Sequence, residues 1–270
     1  MEENKDLQIK ANLDKIEHRI MVMSGKGGVG KSFVATNLAY GLAMQGKTVG
    51  ILDIDIHGPS IAKLTGIEGV PIPAHPESGK PMPIKVLSNL YALTVASLIN
   101  SEDSALIWRG PMKMALIKQF FCDFDWPNLD YLIIDCPPGT GDEPLSIVQT
   151  LGQVDGAVIV TTPQDIAILD VKKSVDFAQK LNVPILGVVE NMKYFRCPDC
   201  GKVTPIFIGN QLEKMIFDHQ LDILAELEID PNIAVSADSG KPFIYFYNKL
   251  PSAEVLMEAV LKLIDRIESK

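Results

Sequence analysis

Apolar residues in this chain fall into short unbroken runs, separated by segments in which they recur at helical spacing. The runs at residues 18–24, 47–53, 90–96, 131–135, 156–161 and 185–190 each predict a strand. Tyr91, Thr94 and Val95 strengthen the third of them, because aromatic and β-branched side chains suit a pleated surface. Val34, Leu38, Leu42 and Ala43 predict a helix over 32–45. Helices are also expected over 111–121, with a proline in the first turn, and over 166–181. Leu256, Val260, Leu263 and Ile264 lie on one side of a packed terminal helix over 251–270. Strands that are apolar throughout, alternating with helices, imply a mostly parallel central sheet covered by helices on both faces, a three-layer α/β fold. The Pro- and Gly-rich stretch 69–83 reads as an exposed loop. Residues 1–17 form a polar lead-in, helical or disordered, ahead of a single domain over 18–270.

In a parallel sheet the ligand sits at the carboxyl ends of the strands. Asp53, Asp135, Thr161 and Asn191 all fall at or just after such ends. Between the first strand and the first helix lies Gly25–Lys26–Gly27–Gly28–Val29–Gly30–Lys31–Ser32, which fits the phosphate-binding pattern G-x-x-x-x-G-K-[ST]. Strand, glycine loop and helix are the order this chemistry needs. Glycines let backbone N–H groups turn inward around a polyphosphate, and the helix N-terminus adds positive potential. Lys31 is expected on the β- and γ-phosphates and Ser32 on Mg²⁺. The fold is therefore expected to be that of a P-loop NTPase, binding ATP and Mg²⁺.

Asp135 ends a strand, where a carboxylate holds Mg²⁺ as a Walker B group does; a turn or cap residue is the plainer reading. Gly139, four residues on, would offer its N–H to the γ-phosphate. Asp53 is expected to point toward the Mg²⁺ region. Asp55, in the loop that follows, would orient the attacking water. His57 is given no chemistry.

Composition narrows the partners. The chain has 270 residues, 47% of them hydrophobic, and a net charge of −9, which disfavours a general nucleic-acid surface. No stretch is long and apolar enough to span a membrane, and the N-terminus lacks the apolar core of a signal peptide. A cytoplasmic protein is expected, with its four cysteines as thiols or metal ligands rather than disulfides. Cys197 and Cys200 have metal-ligand spacing, which is also a redox spacing. A closed zinc or cluster site needs four ligands. Cys122 and Cys136 form no second such pair and read as core thiols, so one chain offers half a site.

The loop's second lysine, Lys26, resembles the deviant Walker A of the family that contains MinD, ParA, nitrogenase iron protein and the Mrp proteins. There the extra lysine crosses a dimer interface to the partner's nucleotide. Asp53–Ser60 (D-x-D-x-x-G-P-S), Trp108–Met112 (W-R-G-P-M), Asp135–Asp142 (D-x-P-P-G-T-G-D), Thr161–Gln164 (T-T-P-Q), Val189–Met192 (V-E-N-M) and Cys197–Gly201 (C-P-x-C-G) occur in order. As a set they resemble the Mrp/Nbp35/ApbC group of iron–sulfur cluster carrier ATPases, over roughly residues 18–242. The resemblance implies a slow ATP hydrolase with Lys26, Lys31 and Asp55 as catalytic residues and Asn191 on the adenine; a strand-end turn residue is the plainer reading of Asn191. It implies a homodimer, or a heteromer with a related ATPase, that bridges a [4Fe–4S] cluster with Cys197 and Cys200 of each copy. Apo iron–sulfur proteins would receive the cluster, with no role for nucleic acid or membrane. A structural zinc shared across the dimer uses the same ligands. A MinD- or ParA-like positioning ATPase with such a zinc is the alternative. It would favour a basic amphipathic C-terminus or basic patches, and residues 251–270 carry several acidic groups. Electron transfer of the nitrogenase iron protein type is disfavoured, because its cluster cysteines lie far apart in sequence.

Three places in the chain depart from the family's pattern. Phe33 stands where a threonine is usual and cannot donate to the α-phosphate. The stretch 206–210 replaces a glycine-rich loop, and Glu228 stands where proline is common. The four-cysteine N-terminal segment of some relatives is not seen, so no second cluster is expected.

Overall fold

The computed structural model describes residues 2–56, 58–97, 110–207 and 211–269. The chain runs α1 (Glu2–Leu13), β1 (Ile16–Met23), α2 (Lys31–Met44), β2 (Val49–Asp53), α3 (Ile61–Thr65), β3 (Ile84–Leu87), β4 (Leu90–Thr94) and α4 (Gly110–Cys122). It continues through β5 (Leu129–Asp135), α5 (Asp142–Leu151), β6 (Gly156–Thr161), α6 (Asp165–Lys180), β7 (Ile185–Glu190), β8 (Tyr194–Arg196) and β9 (Val203–Pro205). It closes with α7 (Gln211–Asp218), β10 (Ile223–Glu226), α8 (Pro231–Asp238), α9 (Phe243–Phe246) and α10 (Pro251–Glu268).

Eight strands form one sheet in the order β10-β7-β6-β1-β5-β2-β4-β3. All neighbours are parallel except the edge pair β3–β4. The expected mostly parallel sheet is what forms. Its strands alternate between two buried faces, which is why no polar period shows in the sequence. Ile20, Val22, Ile133, Val158 and Val160 face the cluster built with α2, α9 and α10. Met21, Met23, Leu132, Ile134 and Ala157 face α1, α4 and α5. Ile159 and Val188 meet α6 and α7.

Several elements go beyond the pattern of apolar runs. β1 starts at Ile16, two residues before the expected edge, and the lead-in is a docked helix. Ile9 and Leu13 of α1 are buried, and Asn12 Nδ2 donates to the carbonyls of Phe121 (2.9 Å) and Phe124 (2.8 Å). The Asn12→Ala variant would strand two buried carbonyls. It is expected to lose about 1–3 kcal/mol of stability, read as a lower urea midpoint at unchanged slope. The loop over 69–83 is largely exposed, as expected, though a bridge between Ala74 and Pro81 folds it back on itself.

β8 and β9 make a separate antiparallel hairpin with Cys197 and Cys200 in its turn. It grows from the carboxyl end of β7, on the same side of the sheet as the glycine loop that follows β1.

Candidate functional site

The glycine loop closes onto the start of α2. Gly30 has φ 87, a left-handed conformation, and a Cβ there would lie 2.2 Å from Asn191 Nδ2. Gly25 passes so close to α6 that a Cβ would meet Asp170 at 2.4 Å. Below the loop is a cavity of about 480 Å³, lined among others by Gly27, Gly28, Lys31, Ser32, Asp55 and Pro138. Phe33 also lines it and packs on Phe243, with ring centroids 6.2 Å apart. The residue that cannot serve the α-phosphate thus serves the core between α2 and α9.

Four charged side chains converge at the strand ends. Lys31 is almost fully buried, with its Nζ 2.6 Å from Asp135 Oδ1 and 3.7 Å from Asp55 Oδ2. Its Nζ is also 3.4 Å from the Ser32 hydroxyl. Burial opposes the Lys31 charge, but Asp135 and Asp55 outweigh it and hold the ammonium above the ordinary lysine range. Burial pushes the Asp135 carboxyl up, with Lys31 pulling against that shift. Asp135 Oδ2 is buried and, among the described residues, has no hydrogen-bond partner. A buried carboxylate oxygen left open is a cost unless a ligand meets it.

Asp53 is placed differently from its neighbours. Its Oδ1 accepts the Asp55 N–H (3.1 Å), and its Oδ2 accepts from Thr94 Oγ1 (3.0 Å) and the Ile61 N–H (3.2 Å). Burial and the charge of Asp135 push it up to about 7. Both oxygens hold the loop that carries Asp55, so Asp53 positions that loop from behind.

Three other expected ligands are engaged within the chain. The Gly139 N–H donates to the Ser24 carbonyl at 2.8 Å. Asn191 is buried and donates through Nδ2 to the Val29 carbonyl at 2.9 Å. Lys26 Nζ donates to Gln164 Oε1 at 2.6 Å, just ahead of α6. Gln164, within T-T-P-Q, and Thr94, at the end of β4, carry no expected role in the sequence. Their signal in the sequence was position alone, at strand ends on the loop's side. Trp108 and Arg109 of W-R-G-P-M, residues 208–210 and His57 lie outside the described residues.

The second constellation is the cysteine turn. Cys197 N–H donates to the Lys202 carbonyl (3.0 Å), and Gly201 N–H donates back to the Cys197 carbonyl (2.9 Å). The N–H groups of Cys200 and Asp199 point at the Cys197 sulfur and lower its pKa, favouring the thiolate that binds metal. Cys197 is partly exposed and Cys200 exposed, while Cys122 and Cys136 are buried. Burial drives the Cys136 thiol well up, so it stays protonated. Among the described residues no group of three or more His, Cys, Asp or Glu is arranged to hold a metal.

A family described as the ParA-type NUBPL iron-transfer P-loop NTPase matches residues 15–264. The chain belongs to this family. Similar proteins include an iron–sulfur cluster carrier protein of Methanocaldococcus jannaschii, 41% identical, with the match covering 98% of this chain and 90% of the relative. Another is a cytosolic Fe-S cluster assembly factor NUBP1 homolog of Brugia malayi, 45% identical over 96% of this chain and 85% of the relative. A nucleotide-binding protein of Archaeoglobus fulgidus in complex with ADP superposes with a TM-score of 0.78 at 37% identity, covering 92% of this chain and 95% of that one. The cell division ATPase MinD of Pyrococcus furiosus shares the fold, with a TM-score of 0.67 at 22% identity, covering 91% and 98%.

As a P-loop NTPase of this family, the protein has, among the described residues, one carboxylate on the cavity wall free of tight pairing. Asp55 keeps 3.7 Å from Lys31 and lines the space where phosphates would sit. The Asp55→Asn variant is expected to bind Mg·ATP and hydrolyse it roughly a hundredfold more slowly, because an amide cannot polarise water as a carboxylate does. Single-turnover hydrolysis beside a fluorescent-nucleotide titration checks this; an unchanged kcat would remove Asp55 from the chemistry.

Proposed function

We propose that this protein is an ATP-dependent iron–sulfur cluster carrier. Two copies would hold one [4Fe–4S] cluster between them on Cys197 and Cys200 of each and deliver it to apo-proteins. The observation that carries the reading is the half-site: two thiols, partly exposed and primed by backbone N–H groups, on a hairpin beside a phosphate loop. Four thiolates complete a cluster, and a two-fold axis supplies the missing pair. The names of the Methanocaldococcus and Brugia relatives support this cargo.

In this reading ATP binds along residues 25–33, with Lys31 on the β- and γ-phosphates. Asp135 and the Ser32 hydroxyl fit Mg²⁺. The open, buried Asp135 Oδ2 is the oxygen such an ion would satisfy. Held there, the ion would supply charge neutralisation as negative charge develops on the phosphates. Asp55 would orient water, and Asp53 would hold the Asp55 loop in place. Lys26 would leave Gln164 to reach the partner's nucleotide, Gly139 would turn its N–H to the γ-phosphate, and Asn191 would contact the adenine. Hydrolysis would be slow and act as a conformational switch. One domain over 18–270 would carry both sites. Among the described residues no helix is long and apolar enough to cross a membrane. We place the protein in the cytoplasm, a reading supported by the name of the Brugia relative, a cytosolic assembly factor.

Anaerobic reconstitution tests the reading. Iron and sulfide at four each per two chains, followed by reactivation of an apo-[4Fe–4S] enzyme on mixing, is the expected result. Stoichiometric zinc without sulfide, or a loaded protein that reactivates nothing, would count against it.

A further inference from the structure

Between the phosphate loop and the cysteine turn the chain has no slack. Asn191 is strapped to the Val29 carbonyl through Nδ2 and covers Gly30, while its own N–H donates to the Thr161 carbonyl at 2.8 Å. Asn191 Oδ1 accepts the Met192 N–H at 3.0 Å. Met192 sits at φ 58, in a left-handed conformation that a methionine keeps only where its surroundings hold it. The Lys193 N–H donates to the Leu227 carbonyl at 2.8 Å, and its ammonium is pinned by Glu190 at 2.9 Å and Glu226 at 2.7 Å.

The same tethering continues into the hairpin. The Tyr194 carbonyl accepts the Ile229 N–H at 2.7 Å, and Phe195 pairs with Ile229. Arg196 Nε donates to Glu228 at 3.1 Å. Cys197 follows directly. Residues 193–196 thus run beside 227–229 as an extension of the β7–β10 pair, with Glu228, one of the positions that departs from the family, as the last pin before the thiols.

We propose that this tethered segment couples the two sites, with Asn191 as the positioning residue that passes nucleotide occupancy to the Cys197–Cys200 turn. A diphosphate in the loop recruits the loop's N–H groups. The Val29–Gly30 peptide lies among them, so Asn191 either moves with that peptide or gives up a buried hydrogen bond. Because residues 192–196 are each held, displacement at Asn191 is delivered to Cys197 instead of being absorbed. Linkage then makes the effect reciprocal: metal on the thiols changes nucleotide affinity by the same factor.

The inference rests on the functional reading above for what occupies the two sites, and the test separates them. Zn²⁺ is titrated into the full-length protein with and without Mg·ADP, and Mg·ADP with and without Zn²⁺. Wild type should show a shift of about fivefold or more, equal in both directions. Asn191→Ala and Glu228→Ala should bring the factor close to one. Glu228→Ala touches neither the phosphate loop nor the thiols, and it decides the matter should Asn191→Ala lose Mg·ADP altogether. Binding of both ligands to wild type with a factor of one, or a wild-type factor in Glu228→Ala, overturns the inference alone. Failure of wild type to bind either ligand overturns it together with the functional reading.

Discussion

Replacing Lys31 with alanine is expected to slow nucleotide hydrolysis by roughly a hundredfold to a thousandfold, the usual cost of losing one preorganised charge at a reacting group. Among the described residues the ammonium is the one cation held against two carboxylates on the cavity side, and it is buried with them. In the proposed reading it would leave Asp135 to reach phosphate, and a divalent cation would take its place on the carboxylate. The ligand-free variant therefore keeps Asp135 without a counter-charge, with Asp55 beside it and Asp53 behind. Breaking a buried pair from one side costs about 3–5 kcal/mol unless the carboxyl takes up a proton. Two readouts follow. The variant should melt lower than wild type without ligand, and Mg²⁺ alone should raise its melting temperature more than it raises that of wild type. Turnover at the wild-type rate would remove Lys31 from the phosphate site. An equal response of both proteins to Mg²⁺ would show that the ammonium does not occupy the cation's place.

Much of this architecture is legible in the sequence because burial on both faces leaves unbroken Val and Ile runs. Residues 131–135 and 156–161 are strands for that reason, and the positions of Asp53, Asp135 and Asn191 at strand ends follow from it. The short elements are not legible in this way. β8 and β9 have three residues each, mostly exposed, with no period to detect. β3 is a four-residue antiparallel edge behind a proline-rich loop. The lead-in is helical through tertiary contacts, Asn12 and Leu13 against the end of α4, and not through a strong apolar stripe of its own.

Motifs give residue types and leave the pairings open. D-x-D does not reveal that Asp53 spends both oxygens on the Asp55 loop, nor does K-G-G-V-G-K-S reveal that Lys26 rests on Gln164. The Lys26–Gln164 contact joins residues 138 positions apart, and the Asp53 contacts depend on how the chain folds back after β2. The departure at Glu228 becomes intelligible only beside Arg196, where a proline could not make the pair.

The Cys197→Ser and Cys200→Ser variants are each expected to reduce cluster content to near background while leaving nucleotide binding intact. Both copies of a dimer carry the change, so a single substitution removes two of the four thiolates a cluster requires. A serine hydroxyl does not replace them, since it is not ionised near neutral pH and is a harder donor than thiolate. The two positions should be equivalent in iron content. Cys122→Ser and Cys136→Ser should keep their iron. Cys122 is buried at the end of α4, and Cys136 is fully buried, with burial holding its thiol protonated. The measurement is iron, sulfide and native mass after anaerobic reconstitution, beside a nucleotide titration of each variant. One cluster per two chains in wild type, absent from both hairpin variants, is the expected pattern. A loaded monomer would defeat the bridging arrangement, because among the described residues one chain has no third ligand to offer. Full iron in Cys197→Ser would move the cargo away from the hairpin altogether.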